Sequence, residues 1–321
     1  MPRFDVVIVG AGIAGPALAH RLSTLSRAKK CHIALLERSL AEPDRIVGEL
    51  LQPAGITALR QLGLEKCLEG LDATSTHGYY VLHDGKSVHI PYPDGYQGRT
   101  FHHGRFVMSL RAAANRAENV ELIEATVTEL IEHGNRVVGV KATRKVQQEE
   151  YKEEYWADLV VVADGSFSNF RASVMGCALV KPVARSSFCG AVLEDVALPT
   201  PTAVLVQGSG PVLMYQLSEN RTRILISIDH PLPADLKVCY CIFLYNGSDS
   251  HLDSRISSLI PFLNYQHHSI QLSKKRSTKT VSDVCHAPSS HQSYKVLLYP
   301  RLVSSSLVMR GISGILSLVV V

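Results

Sequence analysis

The glycines of Gly10-Ala11-Gly12-Ile13-Ala14-Gly15 are the first residues in this chain whose type and spacing could do chemistry. They follow Asp5-Val-Val-Ile-Val9, an apolar run that reads as a buried parallel strand. They open residues 13–26, whose apolar positions fall at helical spacing, with Pro16 in the first turn where a missing N–H is tolerated. Cys31 to Leu36 reads as a second buried strand that ends at Glu37, the usual distance of about 20 residues beyond such a turn. Strand, glycine turn, helix and strand together form a βαβ unit. In it the glycines let backbone approach a pyrophosphate at the helix N-terminus, and Glu37 can accept from ribose hydroxyls. A tight turn with no ligand is the alternative, and the fingerprint serves FAD and NAD alike.

Asp164-Gly165 follows a further buried strand, Leu159–Ala163; taken alone, an Asp-Gly pair is ordinarily a turn. The stretch Glu42-Pro-Asp-Arg-Ile-Val-Gly-Glu-Leu-Leu-Gln-Pro53 sets a guanidinium (Arg45), a glycine (Gly48) and a carboxylate (Glu49) just after the ribose-binding strand. Arg45 could pair with a pyrophosphate or be a surface arginine on a polar loop, and the residues alone leave both open. His102 and His103 lack the surrounding Cys, His or carboxylate spacing of a metal site, so no metal is expected. No G-x-S-x-G elbow supports serine hydrolase chemistry.

The 42–53 stretch resembles a signature of the squalene epoxidases (squalene monooxygenases), with Ala54 where that family usually has glycine. Phe101-His-His-Gly-Arg-Phe106 resembles a second signature, and Gly78-Tyr79-Tyr80 and Ile90-Pro-Tyr-Pro93 resemble further segments; the likeness runs from Asp5 to about Lys237. The resemblance implies a Rossmann-like parallel FAD-binding sheet of the flavin hydroxylase type joined to an antiparallel substrate sheet. It implies cofactor contacts at Gly10, Gly12, Ile13, Ala14, Gly15, Glu37, Arg38, Arg45, Arg105, Val127, Asp164 and Gly165. Tyr79 and Gln52 become substrate-pocket residues, although Tyr79 could equally be a core aromatic with a satisfied hydroxyl. No side chain acts as nucleophile. The implied activity is epoxidation of squalene to 2,3-oxidosqualene in sterol synthesis, with FAD, O2 and electrons from an NADPH-dependent reductase, at the cytosolic face of the endoplasmic reticulum membrane. Two other readings stay open: epoxidation of a different terpenoid, and a non-catalytic FAD-binding remnant.

Around these motifs the chain has 321 residues, 46% hydrophobic and 19% charged, with net charge +4 and pI near 8.6. That is a globular composition, and the scattered Lys and Arg residues exclude a nucleic-acid footprint. The 7 cysteines have no framework spacing and are odd in number, which favours a reducing compartment. The start predicts no signal peptide or leading anchor, and the apolar tail Gly311–Val321 is too short to span a bilayer. Helices are expected at Gly55–Leu64 and Arg105–Ala117 and strands at Val120–Ile123 and Val137–Ala142. A charged turn is expected at Lys145–Glu154. From Ser187 to Ile228 the segments Ala203–Gln207, Val212–Leu217 and Arg223–Ile228 suggest a mostly antiparallel sheet. The expected organisation is a monooxygenase domain over 1–237, its FAD-binding part about 1–180 and its substrate sheet about 75–105 and 185–230.

After Lys237, Ser, His and Lys become frequent and apolar periodicity fades. The family's next motifs, a Gly-Asp pair and a segment near Arg-His-Pro-Leu-Thr-Gly-Gly-Gly-Met, are not written there. With synonymous codon choices, Ser304–Val321 read from the third base of each codon gives Phe-Leu-Leu-Gly-Asp-Ala-Trp-Asn-Ile-Arg-His-Pro-Leu-Thr-Gly-Gly-Gly, then Met. Leu272–Val284 gives a second family-like stretch in the same phase, and Lys237-Val-Cys-Tyr can encode an intron-like donor. The expectation is therefore an aberrant tail over 238–321, from a retained intron or frame error, and a chain that is inactive or uncoupled as written. A divergent but real domain is the alternative.

Overall fold

The computed structural model describes residues 3–25, 31–45, 48–83, 86–147, 149–176, 186–194, 198, 203–206, 211–229, 296–298 and 319–320. The chain divides into two compact units. The first comprises Met1–Ala73, Phe101–Val183 and Ser306–Val321, and the second Thr74–Thr100 and Ala184–Ser305.

The first unit is built on a seven-stranded sheet, six strands of which run in the order Val120–Glu124, Ile33–Glu37, Arg3–Val9, Glu149–Val162, Arg136–Val146, Thr126–His133, the seventh being Val319–Val320. Neighbours among the first four pair in parallel, and the last two strands join antiparallel. Val6, Val7, Ile8 and Val9 are all buried, as in a strand covered on both faces. Val6 and Ile8 share a core with Ile33 and Leu35, Ala19 of the helix Ala14–Thr24 and Ala114 of the helix His103–Asn115. Val7 and Val9 pack on the other face with Leu36, Val140, Tyr155 and Phe170. A third cluster joins Leu59 of the helix Pro53–Gln61 to Phe101, Phe106 and Leu110. Each such side chain withdrawn from water contributes about 1.5–3 kcal/mol before chain entropy is subtracted, so the sheet and its helices are held chiefly by these clusters.

Glu149–Val162 changes partners at Trp156. Its first half pairs with Arg136–Val146 and its second half with Arg3–Val9. Val319 and Val320 pair antiparallel with Val162 and Val161 on the edge opposite Arg3–Val9, beyond the point where the hairpin partner ends. The expected charged turn at Lys145–Glu154 is instead strand. The turn is confined to residues near Gln147, whose φ is 51°, and the charges lie on a ladder that outruns the core. Lys145 and Glu150 sit opposite each other and pair at 3.0 Å, and Lys141 reaches Glu129 at 2.7 Å. A ladder with one solvated face carries charge in cross-strand pairs, so charge density alone does not mark a turn. Thr126–His133 is a strand the sequence reading passed over. The helices begin and end two or three residues earlier than expected, at Pro53–Gln61 and His103–Asn115, with Pro53 at the first helical position where its fixed φ suits it.

The second unit carries a seven-stranded sheet in the order Val296–Leu298, Ser186–Glu194, Arg221–Asp229, Val212–Ser218, Ala203–Val206, Gly78–His83, Lys86–Pro91. It is antiparallel except where Ala203–Val206 runs parallel to Gly78–His83. Val212, Met214 and Leu217 are fully buried, and the Thr100 hydroxyl donates to the Gln216 carbonyl from the short Thr74–Thr76/Gly98–Thr100 pair. Of the segment 238–321, the described residues are Val296–Leu298 and Val319–Val320; the remainder of the expectation for that tail lies outside the described residues.

Candidate functional site

The strand Arg3–Val9 delivers the chain into a turn whose glycines have separate reasons. Gly10 has φ 103°, and a Cβ there would lie 2.5 Å from the Ala163 carbonyl oxygen and 2.8 Å from Asp164 Cα. The glycine turn is thus backed directly by Ala163-Asp164, two motifs far apart in sequence. A Cβ on Gly15 would lie 1.9 Å from the Gly10 carbonyl oxygen, so the helix can close onto the turn only without a side chain there. Around Gly12 an added Cβ meets nothing within 4 Å. The helix Ala14–Thr24 starts with no side-chain cap at Ile13 and no acidic residue in its first turn. Among the described residues no side chain caps that positive end, which lies beside open space: a place shaped for an anion.

The Glu37 carboxylate accepts the Ala11 N–H at 2.7 Å, and the Gly10 N–H donates to the Leu36 carbonyl at 2.7 Å. From the helix His103–Asn115, Arg111 reaches the same turn: its Nε donates to the Ala11 carbonyl at 2.7 Å and its Nη1 to the Ala41 carbonyl at 3.2 Å. A guanidinium nitrogen also stands 3.6 Å from Glu37 Oε2. Arg111 is 4% exposed, and that burial lowers its pKa, opposed by the negative charges of Glu37 and Glu124. Arg111 was not among the expected site residues. The signal that could have found it is phase: it lies on the helix face of Val107, Leu110 and Ala114, all buried, where an arginine needs partners.

The two longest motifs meet. The Glu49 carbonyl accepts the Phe101 N–H at 2.9 Å, the Gly48 carbonyl accepts from His103 Nδ1 at 3.1 Å, and the Gly104 backbone presses against the Pro43 carbonyl. Arg105 Nη1 donates to Asp72 at 2.5 Å and is half-exposed; Arg38 and Arg45 are exposed. Gly165 has φ 83° with open space around it, and its carbonyl accepts from Arg171 at 3.0 Å. Val127 is half-buried in the strand Thr126–His133, opposite Ala142. Gln52 lies exposed just before the helix Pro53–Gln61, its carbonyl accepting the Gly55 N–H at 2.9 Å. Tyr79 belongs to the second unit, half-buried on Gly78–His83, with its ring edge-on to Tyr92 at 5.6 Å. Among the described residues no group of His, Cys, Asp or Glu is arranged to hold a metal ion.

Residues 156–241 match the family model described as squalene epoxidase. A squalene monooxygenase of Mus musculus is 42% identical over 259 residues, which cover 77% of this chain and 43% of the mouse protein. The squalene epoxidase erg1 of Aspergillus fumigatus is 45% identical over 243 residues, covering 72% of this chain and 48% of the fungal one. Over that matched length the chain is similar to the squalene epoxidases. It spans a little under half the length of these curated squalene epoxidases. Solved structures share the fold at low identity. The myxobacterial chondrochloren halogenase CndH, a FAD-dependent halogenase, aligns with TM-score 0.67 and 18% identity over 83% of this chain and 60% of its own. The p-nitrophenol 4-monooxygenase PnpA of Pseudomonas putida gives TM-score 0.61 and 16% identity over 82% and 64%.

The contact between the two signatures carries a pH dependence. Burial is the largest influence on His103 and lowers its pKa; Arg45 acts the same way, while the Gly48 carbonyl and Glu49 oppose them. The unfolded imidazole then binds its proton more readily than the folded one, so stability is undiminished above the ordinary value of about 6.5 and falls as pH drops through it. Urea midpoints measured between about pH 5 and 8 are expected to fall on the acid side in the parent and to lose part of that slope in His103→Gln.

Proposed function

We propose that this chain binds FAD at the Gly10–Gly15 turn, and that the enzyme to which its sequence belongs epoxidises squalene to 2,3-oxidosqualene. One observation carries the cofactor reading: an uncapped helix end faces open space at Gly12, while Glu37 stands on the same turn through the Ala11 N–H. The residues present fit a dinucleotide. The turn and helix end receive the pyrophosphate, with Ile13 and Ala14 lining it, and Glu37 accepts from the ribose. Arg38, Arg45 and Arg105 supply positive charge nearby, and Val127, Asp164 and Gly165 complete the contacts. When bound and reduced, FAD supplies the activation of O2 and the transfer of one oxygen atom to an alkene. The chain's part is to hold the cofactor, orient the alkene and exclude water; Tyr79 and Gln52 are the substrate-contacting residues, and none acts as nucleophile.

Electrons come, on this reading, from an NADPH-dependent reductase at the cytosolic face of the endoplasmic reticulum membrane. Among the described residues no helix is long and apolar enough to cross a membrane. The second reading, a different terpenoid, is supported by the same cofactor geometry, because nothing in the turn recognises the alkene. A product assay with FAD, NADPH, reductase, lipid and O2 separates them. Oxidosqualene from squalene supports the first reading, epoxide from another terpenoid with none from squalene replaces it, and a chain that takes up no flavin overturns both.

A further inference from the structure

Ala11 is held at both ends of its peptide. Its N–H goes to Glu37, and its carbonyl takes the Nε–H of Arg111 at 2.7 Å from a residue 100 positions later. The same guanidinium ties down the Ala41 carbonyl, in the loop that leaves the Glu37 strand, and faces Glu37 itself. A buried arginine costs several kcal/mol in desolvation unless its donors are used and its charge is paired; here two backbone carbonyls take its donors and the Glu37 carboxylate stands 3.6 Å from it. One carbonyl belongs to Ala11, which directly precedes Gly12, and the other to Ala41, where the chain enters the 42–53 stretch.

We infer that Arg111 is a positioning residue for nucleotide binding, fixing the Ala11–Gly12 peptide so that the turn is already formed before the dinucleotide arrives. This rests on the reading of the turn as a dinucleotide site. Arg111 touches no phosphate; it acts through Ala11, by removing the conformational freedom that binding would otherwise have to remove. Its planar fork serves two carbonyls at fixed angles. A lysine keeps the charge beside Glu37 but cannot reproduce the Nε and Nη1 bonds together.

The test uses the full chain and the variants Arg111→Lys and Arg111→Met, with equilibrium binding of FAD and of ADP, amide exchange over residues 10–16, and exchange over Thr126–His133 as a control. In Arg111→Lys, exchange at 10–16 is expected to quicken about tenfold with the control unchanged. The Kd values for FAD and ADP are expected to rise together by about tenfold, the worth of one hydrogen bond to a charged group. Arg111→Met is expected to show a larger loss in the same sense. Unchanged affinities with unchanged protection in a folded lysine variant overturn the inference. So does a loss confined to FAD with ADP binding kept, and so does a lysine variant that fails to fold, which would assign Arg111 to the core. A parent chain that binds neither FAD nor ADP refutes the dinucleotide reading, while the exchange comparison still decides whether Arg111 orders the turn.

Discussion

Gly12→Val is expected to keep the melting temperature of the parent and to abolish retention of FAD, whereas Gly15→Ala is expected to lose stability and flavin together. The contrast follows from what each added carbon meets. At Gly12 there is nothing within 4 Å, so a side chain enters the space assigned to the pyrophosphate and little else. Stability should change by less than about 1 kcal/mol, and the FAD Kd should rise at least about a hundredfold. At Gly15 the new carbon would lie 1.9 Å from the Gly10 carbonyl oxygen and 3.2 Å from Leu35 Cδ1. Helix, turn and second strand cannot all keep their places, and a loss of about 3 kcal/mol is expected. Thermal melts and flavin fluorescence titrations on the same samples check both. Equal effects on stability at the two positions would deny that Gly12 borders a ligand space.

Glu37→Gln is expected to be costly in two ways. The carboxylate accepts the Ala11 N–H and stands 3.6 Å from the buried Arg111 guanidinium, with side chains 15% and 5% exposed. Removing one partner of such a pair leaves a buried charge uncompensated, at about 3 kcal/mol. Ribose binding loses a charged acceptor as well, so the FAD Kd should rise by about 10- to 100-fold. Urea unfolding reads the first effect and titration of the folded variant the second. An unaltered Kd would remove Glu37 from the nucleotide site.

The difference between what could and could not be read from the sequence is one of range. Gly10, Gly12, Gly15 and Glu37 were legible because turn, helix phase and buried strand are local signals, and the strands flanking them are apolar on both faces. The backing of Gly10 by Ala163-Asp164 was not, since it depends on Glu149–Val162 lying beside Arg3–Val9 in parallel register. Arg111 escaped for the same reason: its partners are carbonyls 100 and 70 residues away, and carbonyls have no sequence signature. The charged hairpin misled in the opposite direction. Its Lys and Glu residues looked like a solvated turn, yet Lys145–Glu150 and Lys141–Glu129 are pairs across strands. The 42–53 and 101–106 stretches were each recognisable, but that Glu49 and Gly48 bond to Phe101 and His103 required the fold.

The central claim is that the Gly10–Gly15 turn is a FAD site, and the most direct test is equilibrium titration of the flavin-free chain with FAD, with NAD as competitor. The account predicts saturable quenching of flavin fluorescence at one FAD per chain, undisturbed by NAD and absent in Gly12→Val. A folded chain that leaves flavin fluorescence unchanged, or one that retains NAD in its place, would contradict it.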